Sequence, residues 1–387
     1  MEINNLFKKY CNDFNQNFFT FDKKDLERIK GNLTNEEVKE MEVIIEEIFT
    51  YPLQSVTFDR PNFVEELDVH QYFSIGMYHH PNPDTPDGLP YIRKDGVGNP
   101  NAIGWAKGAL RRVGMITNLA GLAYYLTNDK KYYELIKKHL LHFFINEETM
   151  MLPNLFYAQL IMGDPKHSKG RGSGIIDFGS HMGYGLVILK HLYNDGMIED
   201  ELYKPMQKWV SQFLNWLNTS SFGVKERTAP NNHGTMYSLI RTQLAFFTEE
   251  LKDIKNDMLD ELTSRLVQQI AADGSMRKEL LRTRGIAYTT MNIKAFVDTY
   301  KLLDIDYSKI ELLKTGFEFI LPVLNKEKDI TDIKILDDNG EEWTCCQMEG
   351  TYPDVYQLYL KFIGKNFGLN LTVECDDEVH YKNFFLK

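Results

Sequence analysis

The feature that most restricts the fold of this 387-residue chain is a long succession of segments with helical periodicity. In one of them, Val38, Met41 and Ile45 recur at spacings of three and four residues, which places them on one face of a helix. Thr34 and Glu37 precede this stripe and form a capping box. Such patterns predict two helices within 23–50 and further helices near 104–127, 129–145, 176–195, 199–217, 235–248, 255–271, 285–303, 308–323 and 351–363.

About ten to twelve helices joined by short loops, with no sustained run of strands, predict an all-α stack of helical hairpins. The tail after about residue 330 is the exception, because Ile333-Lys334-Ile335-Leu336 followed by Asp337-Asp338-Asn339-Gly340 predicts a strand and a turn. No internal repeat is visible, so the pattern does not indicate a repeat solenoid.

Composition narrows the class of protein. The apolar fraction of 43% and the charged fraction of 26% are those of a globular protein in water. The net charge of −11 argues against nucleic acid as a partner, because that binding relies on clustered Lys and Arg. No apolar run of about 18 residues predicts a membrane span. The amino terminus has no apolar h-region, so no signal peptide is predicted and the default location is cytoplasmic.

Cysteine and histidine give little sign of special chemistry. Cys11, Cys345, Cys346 and Cys375 contain no Cys-x-x-Cys pair, so no disulfide framework is predicted. No His-Glu-x-x-His motif, carboxylate cluster or Cys/His set stands out, and we therefore expect neither a metal nor a cofactor.

Two histidines lie in the predicted helix 129–145. Its apolar stripe contains Tyr133, Ile136 and Leu140. His139 and His142 lie off that stripe, and the pattern predicts that both are solvated.

The loops carry the distinctive segments. Residues 58–100 form a long irregular stretch rich in Pro, Asp, Asn and Gly, and loops of this length are usually functional. The stretch contains His79-His80-Pro81-Asn82-Pro83 and Leu89-Pro90-Tyr91-Ile92-Arg93-Lys94-Asp95-Gly96. Later loops contain Pro153-Asn154-Leu155-Phe156-Tyr157-Ala158-Gln159 and Gly170-Arg171-Gly172-Ser173-Gly174-Ile175-Ile176-Asp177. The glycine-rich run is not a P-loop, because it lacks the preceding strand and the Gly-Lys-Ser/Thr ending.

Two further segments bring together four kinds of reactive side chain. The first is Pro230-Asn231-Asn232-His233-Gly234, and the second runs from Glu279-Leu280-Leu281-Arg282-Thr283-Arg284 to Tyr288. They contribute an amide, an imidazole, guanidinium groups and a phenol. These groups suit the removal of a proton next to a carboxylate and the release of an oxygen leaving group.

Five of these segments, in this order, resemble the motifs of the alginate lyase family. They are Pro-x-Pro with Leu-Pro-Tyr, Pro-Asn-Leu-x-Tyr-Ala-Gln, Gly-Arg-Gly-x-Gly-Ile-Ile-Asp, Asn-Asn-His, and Asp-Gly-Ser with Glu-Leu-x-Arg-Thr and Tyr. The resemblance implies an incomplete (α/α) toroid of helical hairpins with a deep substrate cleft. It implies one domain over 1–387, with a motif-bearing core at about 58–325 and a tail at 326–387. Family members are usually periplasmic or secreted, in contrast to the location expected from the amino terminus.

The resemblance also implies a function, the β-elimination of a β-1,4-linked polyuronate such as poly-mannuronate or glucuronan. Asn232 and Arg282 would neutralise the substrate carboxylate, with Arg284 as the alternative cation. His233 would act as base near neutral pH. Tyr288 would protonate the leaving oxygen, or would act as base if a neighbouring arginine lowers its pKa.

The remaining site residues are expected to bind the anionic polysaccharide. They are Tyr91, Arg93, Lys94, Asn154, Tyr157, Gln159, Arg171, Asn231, Arg284, His79 and His80. The pair His79-His80 stands where relatives commonly have two tryptophans. We expect a monomer that binds no nucleic acid and no membrane.

Two alternatives stay open at the level of sequence. A glycoside hydrolase on a similar helical fold would need two carboxyl groups flanking the bond, and Asp177 with Glu226 or Glu279 are the candidates. The other alternative is a polyuronate-binding protein without catalytic activity.

Overall fold

A computed structural model describes residues 18–348 and 354–372, and most of these residues are helical. The chain divides into two units. The first unit contains Met1–Met41, Ala229–Thr242 and Asp253–Lys387, and the second unit contains Glu42–Thr228 and Gln243–Lys252. The expectation of one domain over 1–387 stays a prediction.

The helices follow the order that the periodicity predicts. They are α1 (Lys23–Asn32), α2 (Asn35–Ile45), α3 (Trp105–Thr127), α4 (Lys130–Leu140), α5 (Ile176–Phe178), α6 (Tyr184–Asn194), α7 (Asp200–Thr219), α8 (Ser221–Arg227), α9 (Asn232–Thr248), α10 (Leu251–Gln269), α11 (Arg277–Leu280), α12 (Gly285–Leu302), α13 (Glu311–Leu324) and α14 (Asp354–Asn366).

Most helix predictions are confirmed, and the differences lie at helix ends. The Thr34–Glu37 capping box is present: the Glu37 N–H donates to Thr34 Oγ1 at 3.2 Å, and the Thr34 N–H donates to Glu37 Oε2 at 2.9 Å. Helix α9 begins at Asn232, three residues before the predicted start at 235. Helix α8 was not predicted from the sequence, because its seven residues are too few to show a clear period.

Short strands order the loops. They are β1 (Phe73–Ile75), β2 (His79–His80), β3 (Ile92–Arg93), β4 (Tyr157–Leu160), β5 (Lys334–Leu336) and β6 (Glu342–Thr344). Strand β1 pairs with β4 in parallel, whereas β2 with β3 and β5 with β6 pair antiparallel. The strand and turn predicted for the tail are therefore confirmed as the hairpin β5–β6.

Helix α3 forms the centre of the second unit, since almost all of its residues are buried. It packs against α4 and α6. A Cβ atom at Gly121 would lie 2.5 Å from Cγ2 of Ile188, so glycine is what allows α3 and α6 to approach this closely. A helix that is apolar on all sides belongs in a core.

Helix α12 has the same role in the first unit, where it too is buried along almost its whole length. Asp298 on this helix accepts hydrogen bonds from Lys294 Nζ at 2.5 Å, Tyr359 Oη at 2.5 Å and the Thr20 N–H at 3.3 Å. Buried charges persist in proteins when they are paired and hydrogen-bonded in this way. These bonds tie α12 to α14 and to the start of the described chain.

Cys345 is buried and Cys346 is half-buried, and both are free thiols. Cys11 and Cys375 lie outside the described residues. Within residues 18–348 and 354–372, no helix is long and apolar enough to cross a membrane.

The prediction that His139 is solvated is wrong, because its side chain is only 3% exposed. His139 lies on the same helical stripe as Tyr132 and Ile136, which are also buried. Burial, together with the positive charges of Lys138 and His142, lowers the pKa of His139 to about 4. The buried imidazole is therefore neutral at physiological pH.

This burial predicts a loss of stability in mild acid. The folded pKa of His139, about 4, lies below the ordinary histidine value of 6.5, so between these values the unfolded chain binds more protons. The stabilising effect of the neutral imidazole is present above pH 6.5 and is lost as the pH falls towards 4. We expect His139→Leu to reduce the difference in unfolding free energy between about pH 7 and about pH 5. Urea unfolding at both pH values measures this, and an unchanged difference would contradict the assignment.

Candidate active site

The Asn-Asn-His segment forms the start of helix α9 in the first unit. Asn231 precedes the helix, and its Oδ1 accepts the N–H of His233 at 3.3 Å. Its carbonyl oxygen accepts the Gly234 N–H at 2.9 Å and Gln269 Nε2 at 3.1 Å. Asparagine is favoured just before a helix because its side chain can accept such a bond. Asn231 thus fixes the first turn, on which the half-buried His233 lies.

Asn232 is held by Glu279 of α11. Its backbone N–H donates to Oε1 of Glu279 at 2.6 Å, and its side-chain Nδ2 donates to the other carboxylate oxygen. Asn232 is 1% exposed and Glu279 is 2% exposed. Burial raises the pKa of Glu279, while the hydrogen bonds from Asn232 and the charges of His233 and Arg282 oppose the rise. The Asn232 carboxamide therefore has one orientation.

Gly234 allows a buried guanidinium to lie against this turn. Arg265 donates to Ser238 Oγ at 2.8 Å and to Glu261 Oε1 at 2.9 Å. A Cβ atom on residue 234 would lie 2.2 Å from Nη1 of Arg265 and 2.2 Å from the Ala229 carbonyl oxygen. Any side chain at this position would displace the turn that carries His233.

The second motif brings Arg282 and Tyr288 into contact. The Nη2 of Arg282 donates to the Tyr288 hydroxyl oxygen at 3.1 Å, and its Cζ lies 4.2 Å from the centroid of the ring. Both side chains are half-buried. The contact places a positive charge beside the phenol oxygen. Arg284 differs, because its Nε is buried and has no hydrogen-bond partner among the described residues.

Residues of the tail hold this second motif in place. The Gly285 N–H donates to the Cys346 carbonyl oxygen at 3.1 Å, and the Ala287 N–H donates to Gln347 Oε1 at 3.0 Å. Trp343 of β6 donates its indole N–H to the Leu280 carbonyl oxygen at 3.2 Å. These contacts span about sixty residues, and no local pattern in the sequence indicates them.

In the second unit, the loops that carry the sequence motifs meet around the buried carboxylate of Asp177. Its side chain is 1% exposed and forms an ion pair with Lys107 at 2.8 Å. Three further groups donate to it: Tyr72 Oη at 3.0 Å, Ser74 Oγ at 2.6 Å and Gln159 Nε2 at 3.2 Å. Asp177 thus links strand β1, helix α3 and strand β4.

Arg171 and Gln159 extend this network outward. Arg171 donates to Gln159 Oε1 at 2.5 Å and to the Gln159 carbonyl oxygen at 3.3 Å. Gln159 has a φ of +54°, a left-handed conformation that non-glycine residues adopt only when their surroundings hold them there. Burial lowers the pKa of Arg171, but a guanidinium keeps its charge in proteins.

The two adjacent histidines have different environments. His79 is 8% exposed and its buried Nδ1 has no partner among the described residues. Burial and the charges of Arg171 and Arg93 lower the pKa of His79 to about 4, so the ring is neutral at pH 7. His80 is half-buried and its Nε2 lies 2.9 Å from the Val97 carbonyl oxygen. Strand pairing sets His79 opposite Arg93.

The other predicted binding residues also lie in the second unit. Arg93 is exposed and donates to Asp95 Oδ1 at 2.7 Å, and Lys94 is exposed as well. Tyr91 and Tyr157 are half-buried. Asn154 accepts from Gln71 Nε2 and, at 3.3 Å, from the Phe156 N–H.

The predicted site residues therefore form two groups, each within one unit. The predicted catalytic set Asn232, His233, Arg282 and Tyr288 lies in the first unit, together with Asn231 and Arg284. The binding set of the second unit comprises His79, His80, Tyr91, Arg93, Lys94, Asn154, Tyr157, Gln159 and Arg171.

The carboxylates proposed for a hydrolase do not suit that chemistry. Asp177 and Glu279 are buried and accept the hydrogen bonds described above, and Glu226 is 3% exposed. Asp177 and Glu279 are therefore engaged with partners inside the protein, whereas a glycosidase needs two carboxyl groups that flank the scissile bond. Within the described part of the chain, no group of three or more His, Cys, Asp or Glu residues is arranged to hold a metal ion.

Comparison with known proteins agrees with the motifs. A family model described as alginate lyase matches residues 59–306. The crystal structure of an alginate lyase from Bacteroides ovatus is 25% identical to this chain, covering 96% of it and 95% of that protein, with a TM-score of 0.77. Alginate lyase A1-III from Sphingomonas species A1 is 15% identical, with coverage of 79% and 77% and a TM-score of 0.45. No curated protein matches the chain. The predicted all-α fold of the alginate lyase type is confirmed.

The Glu279–Asn232 contact predicts a large effect on stability. Glu279→Ala would leave two buried donors of Asn232 without acceptors, and each such donor costs about 1–3 kcal/mol. We expect the unfolding free energy to fall by about 3 kcal/mol, and by less in Glu279→Gln, which keeps one acceptor oxygen. Urea unfolding measures both values.

Lys278→Ala is the matched control on the same short helix. Lys278 is exposed and makes a surface ion pair with Asp338 at 3.5 Å, and such pairs contribute at most about 1 kcal/mol. Equal losses in the alanine variants of Glu279 and Lys278 would mean that Glu279 does not hold Asn232.

Proposed function

This chain belongs to the alginate lyase family and is a polysaccharide lyase, and from that premise we propose that it cleaves a β-1,4-linked polyuronate by β-elimination. Candidate polymers are the poly-mannuronate of alginate and the related glucuronan. The reaction breaks the C4–O4 bond and leaves a 4,5-unsaturated uronate at the new non-reducing end. The proposal rests on two contacts in the first unit. Asn232, a neutralising group, is held by Glu279, and Arg282, the other neutralising group, is bonded to Tyr288, a proton-transferring group.

The chemical difficulty lies at C5. Its proton is weakly acidic because the adjacent carboxylate is already negative, and removing the proton adds further charge. Donors that face this developing charge lower the barrier most when they are already in position. We assign this role to Asn232 and Arg282.

Asn232 is a suitable neutral donor because Glu279 holds its carboxamide in one orientation. One N–H of its carboxamide bonds to Glu279, which leaves the second N–H for a substrate carboxylate oxygen. Arg282 supplies a permanent positive charge, and a guanidinium can donate two parallel hydrogen bonds to a carboxylate. The two groups together offset the charge that forms as the C5–H bond breaks.

Proton transfer is assigned to Tyr288 and His233. Arg282 lies 3.1 Å from the Tyr288 oxygen and stabilises its phenolate form, which suits the phenol to exchange protons. In mannuronate-type residues C5–H and O4 lie on the same face, so Tyr288 can take the C5 proton and return it to O4, while His233 helps to neutralise the carboxylate. In guluronate-type residues they lie on opposite faces, which favours His233 as base and Tyr288 as acid.

In either case the electrons of the C5–H bond form the C4=C5 double bond. O4 leaves with the C4–O4 electron pair and takes up one proton. The sum is a transfer of hydrogen from C5 to O4, and it needs no redox partner.

Polar and aromatic residues of the second unit are assigned to binding uronate residues of the polymer. Support comes from the exposed cations Arg93 and Lys94 and from the half-buried cation Arg171, which a uronate chain would neutralise. The half-buried rings of Tyr91 and Tyr157 suit packing against sugar faces. Asn154, Gln159, His79 and His80, with Asn231 and Arg284 of the first unit, complete the proposed binding set.

The proposal is tested with a panel of polymers. Purified protein is mixed with poly-mannuronate, poly-guluronate, glucuronan and hyaluronan, and the ultraviolet absorbance of the conjugated C4=C5 double bond is followed. We expect activity on at least one of the first three, unchanged by EDTA because the proposed chemistry uses no metal. Cleavage that yields new reducing ends without this absorbance would indicate a hydrolase, and binding without cleavage would indicate an inactive binding protein.

Tyr288→Phe tests the assigned proton transfer. We expect kcat to fall by about 10³-fold, because general acid–base catalysis contributes roughly 10²–10⁴-fold. The fold should be retained, since only one oxygen atom is removed. Tyr300→Phe makes the same change at a buried position of the same helix α12 and serves as control. Equal activities of the two variants would rule out Tyr288 as the acid.

A further inference from the structure

Helix α12, which carries Tyr288, begins without a cap of its own. The first N–H groups of any helix lack partners within the helix and need acceptors from elsewhere. The residue before α12 is Arg284, whose side chain makes no capping hydrogen bond. A guanidinium has only donors, so Arg284 cannot serve as a cap.

The missing acceptors come from residues 345–348, about sixty residues further along the chain. The carbonyl oxygen of Cys346 accepts the Gly285 N–H at 3.1 Å. The side-chain Oε1 of Gln347 accepts the Ala287 N–H at 3.0 Å. The Met348 N–H returns a hydrogen bond to the Thr283 carbonyl oxygen at 3.0 Å. Gln347 therefore occupies the place that a side chain of residue 284 would fill in an ordinary N-cap.

Residues 345–348 are themselves anchored. The Cys345 N–H donates to the Ile333 carbonyl oxygen at 2.9 Å, and the Cys345 side chain is buried. Hairpin β5–β6 precedes this segment, and Trp343 bonds to the Leu280 carbonyl oxygen. Arg277 at the start of α11 donates to the carbonyl oxygens of Leu336 and Asp337, the latter at 3.1 Å. The hairpin thus contacts α11, which precedes the loop that bears Arg282, and residues 345–348 contact α12, which follows it.

We propose that Gln347 is a positioning residue of the active site, which acts by capping helix α12 and so fixing Tyr288 relative to Arg282. Tyr288 lies one residue after Ala287, and its own N–H bonds to the Arg284 carbonyl oxygen at 3.0 Å. Loss of the cap would loosen the first turn and with it the 3.1 Å contact between Arg282 and the phenol. This inference rests on the proposed role of Tyr288 in proton transfer.

A displacement of this kind lowers turnover more than substrate binding. Tyr288 acts on one bond, whereas the polymer is held by many contacts. A misplacement of about 1 Å can reduce a rate by about 10²-fold. We therefore expect the defect in kcat, with KM nearly unchanged.

The test compares substitutions of Gln347 that differ in whether they leave an acceptor. Gln347→Leu keeps the size of the side chain but removes the acceptor, and Gln347→Glu keeps an acceptor oxygen for the Ala287 N–H. We expect the leucine variant to lose about tenfold or more in kcat at similar KM. We expect the glutamate variant to retain most of the activity, because a carboxylate is also favourable at a helix N-terminus. Gln347→Ala replaces the leucine variant if the latter does not fold.

The control is Glu342→Gln in the neighbouring strand β6. Glu342 is exposed and forms an ion pair with Lys334 at 2.7 Å. This variant should behave as the wild-type protein. A second readout does not depend on catalysis: hydrogen exchange of the Ala287 amide should be faster in Gln347→Leu than in the control, at an equal midpoint of urea unfolding.

The outcomes separate this inference from the proposed function. Faster exchange at Ala287 with reduced kcat, restored in Gln347→Glu, supports the positioning role. Unchanged exchange, or unchanged kcat in a protein in which Tyr288→Phe is inactive, overturns it. If Tyr288→Phe remains active, the proposed function of Tyr288 fails first, and the positioning role fails with it even when exchange at Ala287 is faster.

Discussion

The candidate active site depends on acceptors for the backbone N–H groups at the start of two helices. Helix α9 presents Asn232 and His233, and its first N–H is bound by the carboxylate of Glu279. Helix α12 presents Tyr288, and its first turn is bound by Cys346 and Gln347. Each such cap contributes about 1 kcal/mol to stability, yet each also sets where a reactive side chain points. Helix α11 thus caps α9 through Glu279, and α12, the next helix along the chain, receives its cap from the tail.

The second unit uses buried charge in a comparable way. Asp177 joins a strand, a helix and a second strand through the groups that donate to it, and Lys107 offsets its charge. A buried carboxylate with this many partners is costly to disturb, because each released donor would be left without an acceptor. The same network holds Gln159 in its left-handed backbone conformation, because the Gln159 side chain contacts both Asp177 and Arg171. Some polar residues of the sequence motifs therefore form the buried framework. Others, such as Arg93 and Lys94, remain exposed.

How far the sequence predicts this molecule depends on whether an interaction is local. Helical periodicity placed nearly every long helix, and the Thr34–Glu37 capping box could be predicted because its two residues are neighbours. Arg282 and Tyr288 are only six residues apart in the sequence, so their contact could be anticipated. The burial of His139 could not be predicted, because its helix buries a wider face than the apolar residues alone indicate. The capping roles of Glu279 and Gln347 could not be predicted, because the partners of both residues are brought to them only when the chain folds.

The non-local cap has a consequence for how the protein can be shortened. The stretch by which the chain is assigned to its family ends at residue 306, and every residue of the proposed catalytic set lies before that point. A fragment trimmed to this boundary would keep the whole signature and yet lack the hairpin and the glutamine that hold the start of α12. The stretch that identifies the family is therefore shorter than the stretch that holds the proposed site together. A gene library screened for the motifs alone would accept truncated products in which the first turn of α12 frays.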